Sequence, residues 1–320
     1  MARQHIDHPD LVAFAEARVN LPHEDAKVLR AQARGLREKL EGYLRDHPDF
    51  SLKKMLLSGS LAKRTALRSL NDIDVACYIS GADAPADRAR LLEYLAERLR
   101  KAYPNFNPDQ VQPQTYSVTV SFRGSGLDVD VVPILYNDDP QWFGNLVSQE
   151  DGSFLKTSIP LHLDFAKARR NASPHFAQVV RLIKFWARLQ KQANPDFRFK
   201  SFMIELIVTK LADDGADLSD YPEALQAFFT YLVRSGLRDR IAFSDFYALS
   251  TIPASGDRVQ IIDPVNASNN VARLYTPANA DLITDAALDA GEAIDAALAS
   301  PTKGETVRYW QKVFGPAFQG

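Results

Sequence analysis

The 320-residue sequence predicts an α+β protein, with an α/β first half followed by a mostly helical second half. Three observations lead there. The run 73–79 reads as a strand, with Asp72 and Asp74 at alternate positions at its start. "YSVTVSF" (116–122) and "LDVDVVPIL" (127–135) read as a hairpin joined by "RGSG". Beyond about residue 155 the apolar spacing becomes helical, so the expected division is 1–155 and 156–320. The length suits two domains, or one large one, each with its own apolar core.

In chain order, Leu29, Ala33, Leu36, Leu40 and Leu44 step by three or four and mark one face of a long helix from Glu24 to His47. Lys54–Ser58 reads as a short strand, Gly59-Ser60 as a turn, and Leu61–Arg68 as a short helix or irregular loop. Ile73–Ile79 forms a second strand. Asp72, Asp74, Ala76 and Tyr78 share one of its faces, and Ile73, Val75, Cys77 and Ile79 share the other, which makes Cys77 a core residue. Leu91, Leu92, Leu95 and Leu99 define an amphipathic helix over 84–103. In the second half the clearest helices are "SPHFAQVVRLIKFWARLQKQ" (173–192), "KSFMIELIVTKLADDG" (200–215) and "ADLITDAALDAGEAIDAALA" (280–299).

Composition is that of a folded globular protein, with 46% hydrophobic and 24% charged residues. Thirty-eight basic against 40 acidic residues give a formal net charge of −2, which disfavours coating long nucleic acid. A nucleotide-sized anion needs only a local basic pocket. The single cysteine, Cys77, forms no intrachain disulfide, so cytoplasm is the default compartment. The stretch MARQHIDHPD lacks the apolar run of a signal peptide, and nothing approaches the roughly 18 apolar residues of a membrane span.

The chemistry concentrates in the acids. A lone Asp-x-Asp on a strand is most simply a solvated face. Asp72 and Asp74, however, lie about 6.5–7 Å apart on one side of a strand, a spacing that suits shared divalent cations. A further pair, Asp128 and Asp130, sits among Val129, Val131 and Val132. Negative charges beside a sheet core are costly unless a cation or hydrogen bonds compensate. Carboxylate oxygens suit two Mg²⁺ or Mn²⁺ ions, whereas zinc prefers the His and Cys that are scarce and wrongly spaced here. In such a site Asp72 and Asp74 would bridge both ions, and Asp130 would hold the first and help accept a proton from an attacking hydroxyl. Gly59 allows close backbone approach to a phosphate, and the Ser60 hydroxyl can hydrogen-bond its oxygens.

Gly-Ser, eleven residues, Asp-x-Asp and a later apolar-flanked Asp together resemble the nucleotidyltransferase superfamily typified by DNA polymerase β. More narrowly, "GSLAKRTALRSLNDIDV" and "LDVDVVPIL" are similar to the active-site strands of oligoadenylate synthases and of bacterial CD-NTases, relatives of cyclic GMP-AMP synthase. "RLIKFWARLQ" resembles the family helix that brings a lysine, here Lys184, to the triphosphate. "FRFKSFMIELIVTKL" resembles the next segment, whose serine touches phosphate and whose aromatic stacks on a base, here Ser201 and Phe202. "IIDPVNASNNVA" (261–272) resembles the synthases' Asp-Pro…Asn-Asn-Val segment.

The resemblance, which covers roughly 24–275, implies a polymerase β-like core with a mixed sheet over 1–155. A helical domain over 156–320 closes a central cleft between two lobes. It further implies condensation of ribonucleoside triphosphates, ATP among them, into a cyclic di- or trinucleotide messenger in bacterial anti-phage (CBASS) signalling. That messenger acts through a separate effector protein, and a regulatory protein partner fits the same setting. Two departures stand out. Phe202 replaces the tyrosine more common at the stacking position, and the zinc ribbon of the animal DNA sensor is absent.

Simpler readings stand beside these. Lys184 also reads as a solvated lysine on an amphipathic helix, and Phe185 and Trp186 as core. Asp128 reads as exposed or outside the ions' own ligands; Lys63 and Arg64 face either phosphate or water. Asp263, Asn269 and Asn270 also fit a capped loop. The alternative functions are a template-independent RNA or tRNA terminal nucleotidyltransferase using the same site, and a non-catalytic nucleotide-binding or antitoxin-like module.

Overall fold

The computed structural model describes residues 5–46, 52–70, 72–80, 90–148 and 152–320. It divides into two compact units, one of residues 21–166 and one of 1–20 with 167–320. The units differ from the expected 155/156 division in two respects. The first twenty residues join the helical unit, and the second boundary falls inside a helix. His47, Asn71 and the expected helical residues 84–89 lie outside the described residues, as does the Leu44 side chain.

The 21–166 unit opens with α2 (His23–Arg45), after α1 (His8–Phe14) of the other unit. Ala26, Ala33, Leu36 and Leu40 are buried along α2, at the spacing of one helix face. Among the described residues seven strands form one sheet: β1 (Leu52–Leu57), β2 (Asp72–Ser80), β3 (Val111–Pro113), β4 (Val118–Phe122), β5 (Leu127–Tyr136), β6 (Gly144–Val147) and β7 (Phe154–Thr157). The order is β1-β2-β5-β4-β3, with β6 paired to β5 and β7 to β6. The β2–β5 pairing is parallel and the others are antiparallel, so the sheet is mixed, as expected.

One sheet face carries Ile73, Val75, Cys77, Ile79, Val118, Val120, Val129 and Val131. They pack in a single core with Leu36 and Leu40 and with Leu91, Leu95 and Leu99 of α4 (Leu91–Ala102). The opposite face changes character along β2 and β5. Ala76, Tyr78, Ile134 and Tyr136 form a second apolar cluster under Trp142 and Ile159, whereas the N-terminal ends carry the aspartates. The hidden Tyr78 hydroxyl accepts the Ile159 N–H at 3.0 Å. That bond ties β2 to the start of α5 (Ile159–Ala172).

The other unit packs α1 and a π-helical turn (Ala15–Val19) with α6 (Phe176–Ala193), α7 (Ser201–Asp213), α8 (Tyr221–Ser235), α9 (Pro277–Ala299) and α10 (Lys303–Phe314). Asp7 and Asp10 cap α1 reciprocally, and Pro9 sits in its first turn, where no N–H is missed. The α8 helix ends on Gly236 at φ 53°, the left-handed C-terminal cap that glycine adopts without strain. Trp186, Phe228, Phe229, Trp310, Phe314 and Phe318 fill the interior. Arg169 bridges Asp213 of α7 and Asp245, tying the end of α5 into this unit.

Candidate active site

The parallel pairing of β2 with β5 brings the acids together. Asp72 is the register partner of Asp128, and Asp74 of Asp130. Neighbouring strands lie about 4.8 Å apart and alternate residues about 6.6 Å. Four carboxylates therefore occupy one corner of one sheet face. Like charges side by side are destabilising, and at Asp130 they add to a larger effect of burial. Its carboxyl is pushed above the ordinary range first by desolvation; the Thr119 hydrogen bond lowers it, and the charges of Asp72 and Asp128 raise it again. Thr119 Oγ1 donates to Asp130 Oδ1 at 2.5 Å.

The loop entering β2 is built around Asp74. Ser58 N–H donates to the Asp74 carbonyl at 2.8 Å, and α3 (Gly59–Lys63) follows at once. Gly59 has φ +61°, and a Cβ on it would stand 1.7 Å from Asp74 Oδ2 and 2.5 Å from Asp74 Cγ. Only glycine fits. The helix stops at Arg64, which is left-handed (φ 60°), and Thr65 N–H returns to Ser60 O at 2.9 Å. Leu61, Thr65 and Ala66 are buried beneath this turn. The "LAKRTALRSL" stretch is thus a folded plug joining the Gly-Ser pair to the acids. Ser60 is partly exposed at its start.

The donor set fits divalent cations by its chemistry, with all-oxygen ligands, four carboxylates side by side on two paired strands and an acid held above its ordinary range. Among the described residues, no group of three or more His, Cys, Asp or Glu side chains stands gathered as a ready ion cage. Mutual repulsion gives the carboxylates no reason to converge; Asp130 is hydrogen-bonded by Thr119, and Asp74 lies close against Gly59. The expected ligand trio Asp72, Asp74 and Asp130 shares a face and a register, and its side chains are not drawn around a common point.

The remaining expected residues lie in the helical unit. Lys184 of α6 is only 7% exposed, which replaces the solvated-lysine reading with a buried cation. Phe185 packs on Phe14 and Phe314. Trp186 is wholly buried, edge-on to Phe197 and Phe229. Both are core, as their spacing indicated. Ser201 is exposed at the first position of α7, and Phe202 beside it is partly exposed. Asp263 and Asn270 are buried in a capped loop, with Asp263 accepting from Val265 N and Asn269 Nδ2. Thr119 went unremarked in the sequence, yet its position was countable. A four-residue hairpin loop that pairs Phe122 with Leu127 also sets Thr119 opposite Asp130.

No protein-family model matches the chain. Its fold is that of solved nucleotide cyclases. The crystal structure of apo Vibrio cholerae DncV superposes with a TM-score of 0.70 at 15% identity, over 98% of this chain and 96% of that chain. Closer relatives carry more than fold. The chain is 69% identical over 321 residues, 100% of both chains, to the cyclic AMP-AMP-AMP synthase of Escherichia coli (strain MS 115-1). It is 35% identical over 263 residues, 81% of each, to the CBASS oligonucleotide cyclase CdnC of Escherichia coli (strain KTE188). A structure of E. coli MS115-1 CdnC with ATP matches at a TM-score of 0.93 and 69% identity, covering 99% of this chain and 100% of that one. The same CdnC in a HORMA-deltaN complex matches at 0.92 and 68%, covering 99% of each.

The chain belongs to the CBASS oligonucleotide cyclases. The expected family, the α+β fold class and cyclic-oligonucleotide synthesis in CBASS signalling are borne out. The terminal nucleotidyltransferase and the non-catalytic module are set aside by the same finding. No helix among the described residues is long and apolar enough to cross a membrane.

Proposed function

We propose that this protein condenses ATP into cyclic AMP-AMP-AMP in the cytoplasm, using the carboxylates of Asp72, Asp74 and Asp130 and two divalent cations, Mg²⁺ or Mn²⁺. The observation that carries the site is the β2–β5 register, which sets Asp72 beside Asp128 and Asp74 beside Asp130. The choice of adenine rests on the 69% identity to the cyclic AMP-AMP-AMP synthase.

When bound, the ions neutralise charge on the α-phosphate and the leaving pyrophosphate. The chain's own residues do the rest. Asp72 and Asp74 hold ligand oxygens on one face of β2, and Gly59, lacking a side chain, leaves room for the Asp74 carboxylate. Asp130 takes the proton of the attacking ribose hydroxyl. That oxygen bonds to the donor's α-phosphorus as the bond to pyrophosphate breaks. Gly59 and Ser60 steady the phosphate tail. Lys184 and Ser201 bind triphosphate oxygens, and Phe202 stacks on the base, a contact that tolerates any base and leaves identity to other groups. Two transfers make a linear trimer that keeps one triphosphate, and the third closes the ring. Catalysis of this kind is positioning and charge stabilisation.

A HORMA-domain protein is the regulatory partner we propose, supported by the HORMA complex of a 68%-identical CdnC. The released ring acts through a separate effector protein. The test is to incubate the protein with the four ribonucleoside triphosphates and Mg²⁺ or Mn²⁺, with and without a HORMA partner, and then treat with phosphatase. A phosphatase-resistant species with the mass of cyclic tri-AMP is expected. Rings of other composition, linear products alone, or no product in either arm would overturn the assignment.

A further inference from the structure

The start of α7 is not set by its own cap. Lys200, just before Ser201, is extended (φ −61°, ψ 134°), and its side chain makes no capping hydrogen bond. Its backbone N–H donates instead to Tyr275 Oη at 3.0 Å, and its Nζ donates to the Val271 carbonyl at 3.2 Å. Both anchors belong to a segment more than seventy residues away in sequence.

That segment is stiffened from within. Asn270 uses its whole amide: Oδ1 accepts from Ile261 N and Ala272 N at 3.0 Å each, and Nδ2 donates to Asp257 Oδ2 and Val259 O at 2.8 Å each. Asp263 accepts from Val265 N at 2.8 Å and from Asn269 Nδ2 at 3.0 Å, while its carbonyl accepts the Tyr247 hydroxyl at 2.8 Å. Tyr275 N–H closes the last turn on Ala272 O at 2.8 Å. A web of satisfied buried polar groups gives a defined local geometry. Its edge, Val271 O and Tyr275 Oη, meets the residue that launches α7.

The consequence is angular. Each residue of an α-helix turns about 100° from the last, so the burial of Met203 and Ile204 sets the directions of Ser201 and Phe202 only while these two are part of the helix, and a start delayed past them would release them from it. Met203 and Ile204 are buried and Ser201 is exposed, so the launch point decides what Ser201 and Phe202 present to solvent.

We infer that Tyr275, braced by Asn270, is a positioning residue that fixes the first turn of α7 so that Ser201 and Phe202 meet the nucleotide. The inference rests on the reading of Ser201 and Phe202 as nucleotide contacts. It gives the 261–272 motif a task at the site without placing any of its side chains on substrate.

Tyr275→Phe deletes one hydroxyl and keeps the ring. It should raise the KM for ATP about five-fold, leave kcat within about two-fold, and move Tm by no more than about 2 °C. Lys200→Pro removes the same hydrogen bond from the donor side at a φ proline adopts, and should raise KM likewise. A general structural role would survive in any background, so the deciding measurement adds Tyr275→Phe to Ser201→Ala/Phe202→Ala. There it should change KM by less than about 1.5-fold. An undiminished effect in that background, or unchanged KM in Tyr275→Phe while Ser201→Ala/Phe202→Ala raises KM, would overturn the positioning role. Unchanged KM in Ser201→Ala/Phe202→Ala itself would instead remove the nucleotide-contact reading beneath it.

Discussion

Asp74 rests its carboxylate against the backbone of Gly59, so closely that a Cβ there would lie 1.7 Å from Asp74 Oδ2. The glycine of the Gly-Ser pair is therefore required by the acid, independently of any phosphate. Gly59→Ala should lower kcat/KM roughly 100-fold, the cost of displacing a reacting group by about 1 Å, while circular dichroism stays native. A retained rate would show that Asp74 has room to move.

Asp130 is held above the ordinary carboxylate range chiefly by desolvation. A raised folded-state pKa means that the protonated form favours folding. The penalty is absent below the unfolded-state pKa of about 4 and complete once pH exceeds the folded value. In EDTA, Asp130→Asn should melt a few degrees above the parent at pH 7, with the difference vanishing as pH falls below about 4, and should make no product. Equal melting at pH 7 would argue that Asp130 bears no such penalty.

Lys184 is buried, so its long stem and its charge must be tested separately. Lys184→Met keeps the stem. Loss of one charge-assisted contact to phosphate corresponds to a 10- to 100-fold rise in the KM for ATP, from about 1.5–3 kcal/mol. Unchanged KM with a lowered Tm would make Lys184 a structural cation of the helical unit.

Arg169 ties Asp213 and Asp245 together and is not one of the residues proposed to contact nucleotide. Arg169→Met leaves two carboxylates facing each other and should lower Tm by roughly 5 °C, with KM unchanged at temperatures where the protein is folded. Differential scanning fluorimetry with steady-state kinetics separates the two effects.

The acidic strands were readable because period two writes itself into the sequence. Asp72, Asp74, Asp128 and Asp130 alternate with residues that must be apolar, and the "RGSG" turn even sets the Thr119–Asp130 register. The long helices were readable for the same reason at period 3.6. The four-residue strands β6 and β7 are too short to show any period. Which unit the first twenty residues join depends on non-local pairs such as Asn20 with Gln178 at 2.9 Å. The contact between Gly59 and Asp74 depends on a turn closing across fifteen residues of chain, which no local pattern encodes. Lys184 looked solvated because a lysine's burial is decided by what packs over it.

The helical unit is written in two pieces, with the whole of 21–166 between them. On the ribosome, domains fold as units from the N-terminal end. The acidic strands are therefore complete while Lys184, Ser201 and Phe202 are still unsynthesised, and residues 1–20 wait without their partners until the last helices emerge. A nascent or truncated chain therefore carries the carboxylates without the residues proposed to grip a triphosphate, which makes premature messenger synthesis from an unfinished polypeptide physically disfavoured.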